Sequence, residues 1–184
     1  MWVSDHITTA RLVLRPFSWV DADALFDYAS NPDYARFQSG PDDFNRAASD
    51  KFLAELMLRE RDVRPVWAIT VEDHVVGIVT LNFESGHRIA VLGYGLHRDL
   101  WGQGLAGEAV RAVLDEAFAE YAMLHRVRAQ TDLRNVRSSG LLAKLGFTHE
   151  GTLRAEVGRG GELVNGAIYG LLREEWTGPR AGPG

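Results

Sequence analysis

Residues 100–110 read LWGQGLAGEAV, three glycines and two alanines in eleven residues, directly ahead of a long apolar run. As spelled, Gly102-x-Gly104-x-x-Gly107 is the dinucleotide fingerprint of a doubly wound parallel sheet, and Gly102-x-x-x-x-Gly107 is most of a P-loop. The choice between these readings decides the fold. The P-loop fails at once, because the lysine and Ser/Thr that should follow the last glycine are Glu108 and Ala109. The dinucleotide reading has a strand before the glycines, a helix after them, and Asp132 at the end of the next strand for a ribose contact. Two features oppose it. His97-Arg-Asp-Leu-Trp101 separates the strand from the first glycine, and the motif should open the fold, yet helices and an antiparallel hairpin come first. Glycines at a loop-to-helix junction can also serve tight packing alone. Chemically, small residues at a helix start let several backbone N–H groups and the positive dipole end face an anion such as a diphosphate.

Working outward, Arg11–Arg15 alternates charged and apolar residues as a half-buried strand does, and Pro16 ends it. Ser18 is placed to cap a helix running to Asn31-Pro32, with Val20, Ala24, Leu25 and Tyr28 on one face. A break at Gly40-Pro41 precedes a second amphipathic helix over 44–62, with Ala48, Phe52, Leu53, Leu56 and Met57 apolar. Residues 66–71 and 75–83 read as a hairpin turning at Glu72–His74, and 89–96 completes a meander after the turn at 84–87. Behind the glycines, Ala106, Ala109, Val110, Val113, Leu114, Ala117, Phe118 and Tyr121 recur at helical spacing. Then 127–131 reads as a strand, 135–145 as a helix, and 147–157 and 163–172 as a final strand pair. The expectation is one α+β domain over 1–176 with a Pro/Gly-rich, disordered tail over 177–184.

The 184 residues carry 46% hydrophobic and 24% charged side chains, as soluble globular chains do. No apolar run is long enough for a membrane span, and the N-terminus has no signal-peptide pattern. Zero cysteines exclude disulfides, thiolate metal sites and a cysteine nucleophile, and fit a reducing compartment. A net charge of −5 without a basic stripe argues against nucleic acid as a partner. A cytoplasmic protein with neither metal nor membrane is expected.

The stretch Asn135-Val-Arg-Ser138-Ser-Gly-Leu-Leu-Ala-Lys144-Leu-Gly-Phe147, followed by His149-Glu-Gly-Thr-Leu-Arg154, closely resembles the signature of GNAT-family N-acetyltransferases. The similar branch is the one containing the ribosomal-protein N-terminal acetyltransferases RimJ and RimL. Its other marks are Arg11-Leu-Val-Leu-Arg-Pro16, Gly93-Tyr94 before the glycine loop, and the stretch Tyr169–Trp176, so the resemblance runs from residue 9 to 176. It implies a GNAT fold: a mixed, mostly antiparallel sheet of six to seven strands with splayed central strands, flanked by about four helices. It also assigns the glycine loop to acetyl-CoA. The family motif Gln/Arg-x-x-Gly-x-Gly/Ala becomes Trp101-x-x-Gly104-x-Ala106, with Gln103 where a basic residue is common, leaving fewer charges at the diphosphate.

By the same resemblance, the splayed strands are 89–96 and 127–131, and a backbone N–H near Leu96–His97 polarises the thioester carbonyl. Coenzyme A is expected on Leu96, His97, Gln103, Gly104, Leu105, Ala106, Gly107, Asn135 and Ser138. Asn135 is expected to hold the pantetheine arm or to serve only as a helix N-cap; Ser138 protonates the leaving thiolate or is a surface serine. The general base stays open between Glu156 and His97, with bulk water as a third taker of the proton. Without cysteine, direct attack by the amine replaces an acyl-enzyme route. The expected acceptor is the α-amine of a protein or peptide; a small amine (amino acid, polyamine or aminoglycoside) and a non-catalytic acyl-CoA-binding module are the alternatives. A monomer or homodimer is expected.

Overall fold

Strand β2 (Val13–Arg15) shows how the Arg-Leu-Val-Leu-Arg-Pro stretch is spent. Leu12 and Leu14 turn inward and are buried, while the arginines at either end stay at the surface of the core and tie the strand to other elements. The computed structural model describes residues 4–38 and 44–178; the expected Gly40-Pro41 break and the tail beyond 178 lie outside them. The remaining elements are β1 (Ile7–Thr8), α1 (Ala22–Ser30), α2 (Pro32–Ala35), α3 (Arg46–Met57), β3 (Val66–Val71), β4 (His74–Glu84), β5 (Ile89–Leu96), α4 (Leu105–Glu120), β6 (Arg126–Asp132), α5 (Val136–Lys144), β7 (Thr148–Val157) and β8 (Leu163–Leu172).

All eight strands form one sheet in the order β1-β2-β3-β4-β5-β6-β8-β7. Every pairing is antiparallel except β5 with β6, which is parallel. Helices α4 and α5 pack one face through Val110, Val113, Leu114 and Leu142, against Leu14, Trp67, Val79 and Leu92. Helices α1 and α3 cover the other face over β3 and β4, with Leu25, Tyr28, Leu53 and Leu56 against Val66, Ala68, Val75 and Ile78. Each such buried leucine contributes about 1.5–3 kcal/mol of transfer free energy.

Eight strands and five helices exceed the expected six to seven and four. The added strand is β1, whose two residues, paired Ile7↔Leu14 and Thr8↔Val13, are too short to show alternation. The added helix is α2. Asn31-Pro32 does end α1, but Pro32 then opens a new turn: Asn31 Oδ1 accepts the Asp33 N–H at 3.0 Å, and proline at the first helical position loses no bond the helix would have made. Ser18 caps a short 3-10 turn, Trp19–Asp21, rather than the helix itself, which leaves Val20 86% exposed instead of on the apolar face. Helix α3 stops at Met57, five residues earlier than the pattern suggested, and Met57 is 39% exposed.

The base of α1 hangs on an ion pair. Arg15 donates to both carboxylate oxygens of Asp21 at 2.8 and 2.9 Å, and the Ser18 N–H adds a bond at 2.8 Å. Asp21 is only 4% exposed. Burial pulls its carboxyl up, but the Arg15 and Ser18 bonds and the Arg15 charge outweigh it, and the group titrates below its ordinary value of 3.8. A carboxyl depressed on folding stabilises the fold above its unfolded value and loses that contribution as pH falls through the folded one. Asp21→Asn is therefore expected to lower the unfolding free energy by about 2 kcal/mol at neutral pH, discounted from the usual cost of breaking a buried pair because Arg15 is partly solvated. Urea unfolding as a function of pH checks this: the gap between wild type and variant narrows below pH ~4, and a gap that does not change with pH contradicts it.

Candidate active site

Strands β5 and β6 pair only from Ile89↔Arg126 to Leu92↔Ala129, although β5 continues to Leu96 and β6 to Asp132. Beyond that point β5 stays with β4, through Gly77↔Leu96, and β6 stays with β8, through Asp132↔Gly166. The sheet is split between them. Successive N–H groups of an antiparallel strand alternate sides. The His97 N–H donates to the Val76 carbonyl at 2.6 Å, so the N–H and C=O of Leu96 face the split. The Trp101 indole N–H donates to that Leu96 carbonyl at 2.8 Å, which leaves the Leu96 N–H as the donor facing the split at the end of β5. Of the two expected backbone donors, His97 is already used.

Side chains alternate likewise along β5. Tyr94 reaches toward α5, where its hydroxyl meets Ser138 Oγ at 2.7 Å and donates to the Ser138 carbonyl at 3.3 Å. Burial raises the Tyr94 phenol to about 12, against the opposing effect of the Ser138 bond. Asn135 caps α5, its Oδ1 accepting the Ser138 N–H at 3.1 Å, so the capping role weighed for it is made. Its side-chain NH2 is not used by that bond.

Glu156 lies on β7, where the ladder with β8 is irregular, and Ala155 beside it has φ +56°. Its carboxylate accepts from Gln130 Nε2 of β6 at 2.8 Å, crossing over β8 at Gly166. A Cβ on Gly166 would lie 3.0 Å from Gln130 Nε2, so glycine there makes room for the crossing. Gln130 is the first residue of β6 beyond the parting, on the face opposite buried Ala129. His97 is drawn toward α1: its Nδ1 accepts the Asp99 N–H at 3.2 Å, and its Nε2 is 3.3 Å from Asp27. Glu156 thus reaches the β6 side of the split only through Gln130, across β8, and both ring nitrogens of His97 are engaged.

At the mouth of the split the glycine loop turns into α4. Gly102 and Gly104 have φ of +79° and +80°, and Gly104, at the helix start, makes no side-chain cap. The first helical bond there runs from the Glu108 N–H to the Gly104 carbonyl, so the amides of Leu105, Ala106 and Gly107 precede the intrahelical ladder. Gln103 turns back, its Nε2 donating to the Asp99 carbonyl at 3.3 Å. A cavity of about 630 Å³ opens here, lined among others by Phe37, Trp101, Asn135 and Arg137. The Arg137 guanidinium lies 5.2 Å from the Trp101 ring centre. It has no carboxylate partner among the described residues.

The family model "Acetyltransferase (GNAT) domain" matches residues 11–148, and the chain belongs to that family of acetyltransferases. It is 32% identical over 180 residues to "Uncharacterized N-acetyltransferase p20" of Bacillus licheniformis, covering 95% of this chain and 99% of that one. It is 28% identical over 100 residues, 54% of this chain and 55% of the relative, to the ribosomal-protein-serine acetyltransferase of Escherichia coli (strain K12). Among solved structures, Mycobacterium smegmatis RimJ in complex with CoA-disulfide superposes with a TM-score of 0.83 over 94% of this chain and 90% of that one, at 23% identity, a likeness of fold.

Two contributors escaped the reading of the sequence. Tyr94 was visible within the Gly93-Tyr94 pair, yet its reach to a helix 44 residues on is not a local pattern. Arg11 was visible too. Its Nε donates to Glu108 at 2.7 Å and its Nη1 to the Gln103 carbonyl at 2.9 Å, while Thr9 donates to the same carboxylate at 2.6 Å. Burial raises the Glu108 carboxyl, but these bonds outweigh it and hold it below its ordinary value. Arg11 thereby places a cation beside Gly104, where Gln103 supplies none. Arg11→Ala is expected to cost only about 1 kcal/mol of global stability, since the pair is half solvated. The amides of 102–108 should nevertheless exchange with deuterium roughly tenfold faster, in line with ~1.4 kcal/mol of local opening. Unchanged exchange in this segment contradicts the tether.

Proposed function

We propose that the protein moves the acetyl group of acetyl-CoA to the α-amine of a protein or peptide N-terminus by direct attack, in the cytoplasm. The observation that carries this is the split between β5 and β6, with the Leu96 N–H facing it, the Tyr94–Ser138 hydroxyls on one face and, on the other, Gln130 leading across β8 to Glu156. The residues present fit coenzyme A. Left-handed Gly102 and Gly104 keep side chains away from the α4 N-terminus, where backbone amides and the helix dipole can take a diphosphate, and Arg11 and Arg137 add charge. The Asn135 NH2 can hold the pantetheine arm. Acetyl-CoA supplies an acyl group already activated as a thioester.

The chain's own groups account for the rest. The Leu96 N–H donates to the thioester oxygen as negative charge develops on it. Glu156 takes a proton from the amine, directly or through one water, as nitrogen bonds to the carbonyl carbon. When the carbon–sulfur bond breaks, Ser138 gives its hydroxyl proton to sulfur and Tyr94 replaces it through their shared bond. One proton leaves the amine and one reaches the thiolate, and solvent restores the starting state. Cysteine is absent from the chain, so no cysteinyl acyl-enzyme intervenes.

Two things support an α-amine. Relatives are named as ribosomal-protein acetyltransferases, among them that of Escherichia coli. An α-amine of pKa near ~8 also has roughly a hundredfold more neutral form at pH 7 than a lysine near ~10.4.

The test offers acetyl-CoA with matched hexapeptides beginning Ser or Ala, N-terminus free or blocked, each holding one lysine, beside spermidine and an aminoglycoside, with mass spectrometry locating the acetyl group. Acetylation of free N-termini alone is expected, and Ser138→Ala should lower kcat on the order of tenfold to a thousandfold, more than either KM. Turnover confined to the small amines or to lysine overturns the acceptor assignment. Coenzyme A binding without transfer to anything would mark a silent binding module.

A further inference from the structure

The face of β5 opposite Tyr94 carries no side chain next to the split. Gly95 is buried there, and a Cβ built on it would stand 2.5 Å from the Tyr34 hydroxyl and 2.6 Å from its Cε2. The Tyr34 ring therefore rests on the strand backbone itself, one residue from the Leu96 N–H. Its place is held from two sides. The fully buried Tyr28 meets it edge-on, with centroids 5.2 Å apart and an interplanar angle of 84°. Asp33, its neighbour on α2, is paired with Arg98 of the loop that follows β5.

The hydroxyl so positioned has no hydrogen-bond partner among the described residues, although Tyr34 is only half-buried and the oxygen is not sealed in the core. A hydroxyl open to solvent and without a partner in the protein is free to bond an incoming polar group in place of water. Burial pushes the phenol upward, so it stays neutral at physiological pH, keeping its proton and its acceptor lone pairs. Tyr94 and Ser138 lie on one face of the split; Tyr34 shares the opposite face with Gln130 and Glu156, the base of the proposed transfer.

We propose that the Tyr34 hydroxyl accepts a hydrogen bond from the acceptor's amine and holds its lone pair toward the thioester carbon, with Gly95 kept bare to admit the ring. This rests on the assignment of the split as the transfer site. It makes Tyr34 a residue of acceptor recognition that leaves coenzyme A binding untouched.

The test uses the full chain with acetyl-CoA and the free Ala-initiated hexapeptide, and spermidine as second acceptor. Tyr34→Phe removes only the oxygen. The KM for the acceptor should rise roughly three- to tenfold, the loss expected of one hydrogen bond, while calorimetric affinity for coenzyme A and Tm stay at wild-type values. Gly95→Ala displaces the ring while keeping its hydroxyl, and should raise the same KM with coenzyme A affinity retained. Acceptor KM and kcat unchanged in Tyr34→Phe overturn the proposal, as does a parallel fall in coenzyme A affinity. Should wild type use spermidine and not the peptide, the N-terminal assignment fails, and Tyr34→Phe measured on spermidine still decides this one.

Discussion

Two parallel strands that pair for four residues and then part leave backbone donors and acceptors facing a gap, and the rest of the molecule is arranged around that gap. Unpaired backbone groups away from water are costly, so a split of this kind persists only if both sides are held apart. Here β4 holds β5 out to Leu96, and β8 holds β6 out to Asp132. Gly77 on β4 lets that strand lie against the Gly95 carbonyl, closer than any side chain would allow. Trp101 takes up one of the exposed groups, the Leu96 carbonyl, and leaves the N–H of the same residue facing the gap.

The gap also separates two kinds of proton chemistry. Alternation along β5 sends Tyr94 to the α5 side and bare Gly95 to the α2 side, so hydroxyls that can give a proton and a carboxylate that can take one lie on opposite faces. The arginines of the first long motif work at a distance from both. Arg11 braces the glycine loop through Glu108, and Arg15 braces the start of α1 through Asp21. One short strand thereby links the glycine loop to the start of α1.

Much of this could be read from the chain because it is local. The strands 66–71, 89–96 and 163–172 have the expected limits, since alternation and flanking turns are local properties. The Asn-x-x-Ser spacing placed Asn135 at the cap and Ser138 in the first turn of α5. What was missed is non-local or too short. Strand β1 exists only because β2 lies beside it, and α2 is a single turn behind a proline. The occupied state of the His97 N–H depends on where β4 sits, and Tyr34 over Gly95 depends on how α2 folds back. Val20 lost its place in the core because Ser18 capped a tighter turn than an α-helix.

The central claim is that the thioester carbonyl is received at the Leu96 N–H. Amide NMR of the 15N-labelled protein, titrated with a non-transferable acetyl-CoA analogue, tests it directly. The account predicts that the Leu96 amide proton moves downfield and becomes protected from solvent exchange, while the His97 amide, already bonded to Val76, holds its position and protection. A Leu96 resonance that does not respond while the glycine-loop amides do would place the acyl group elsewhere and contradict it.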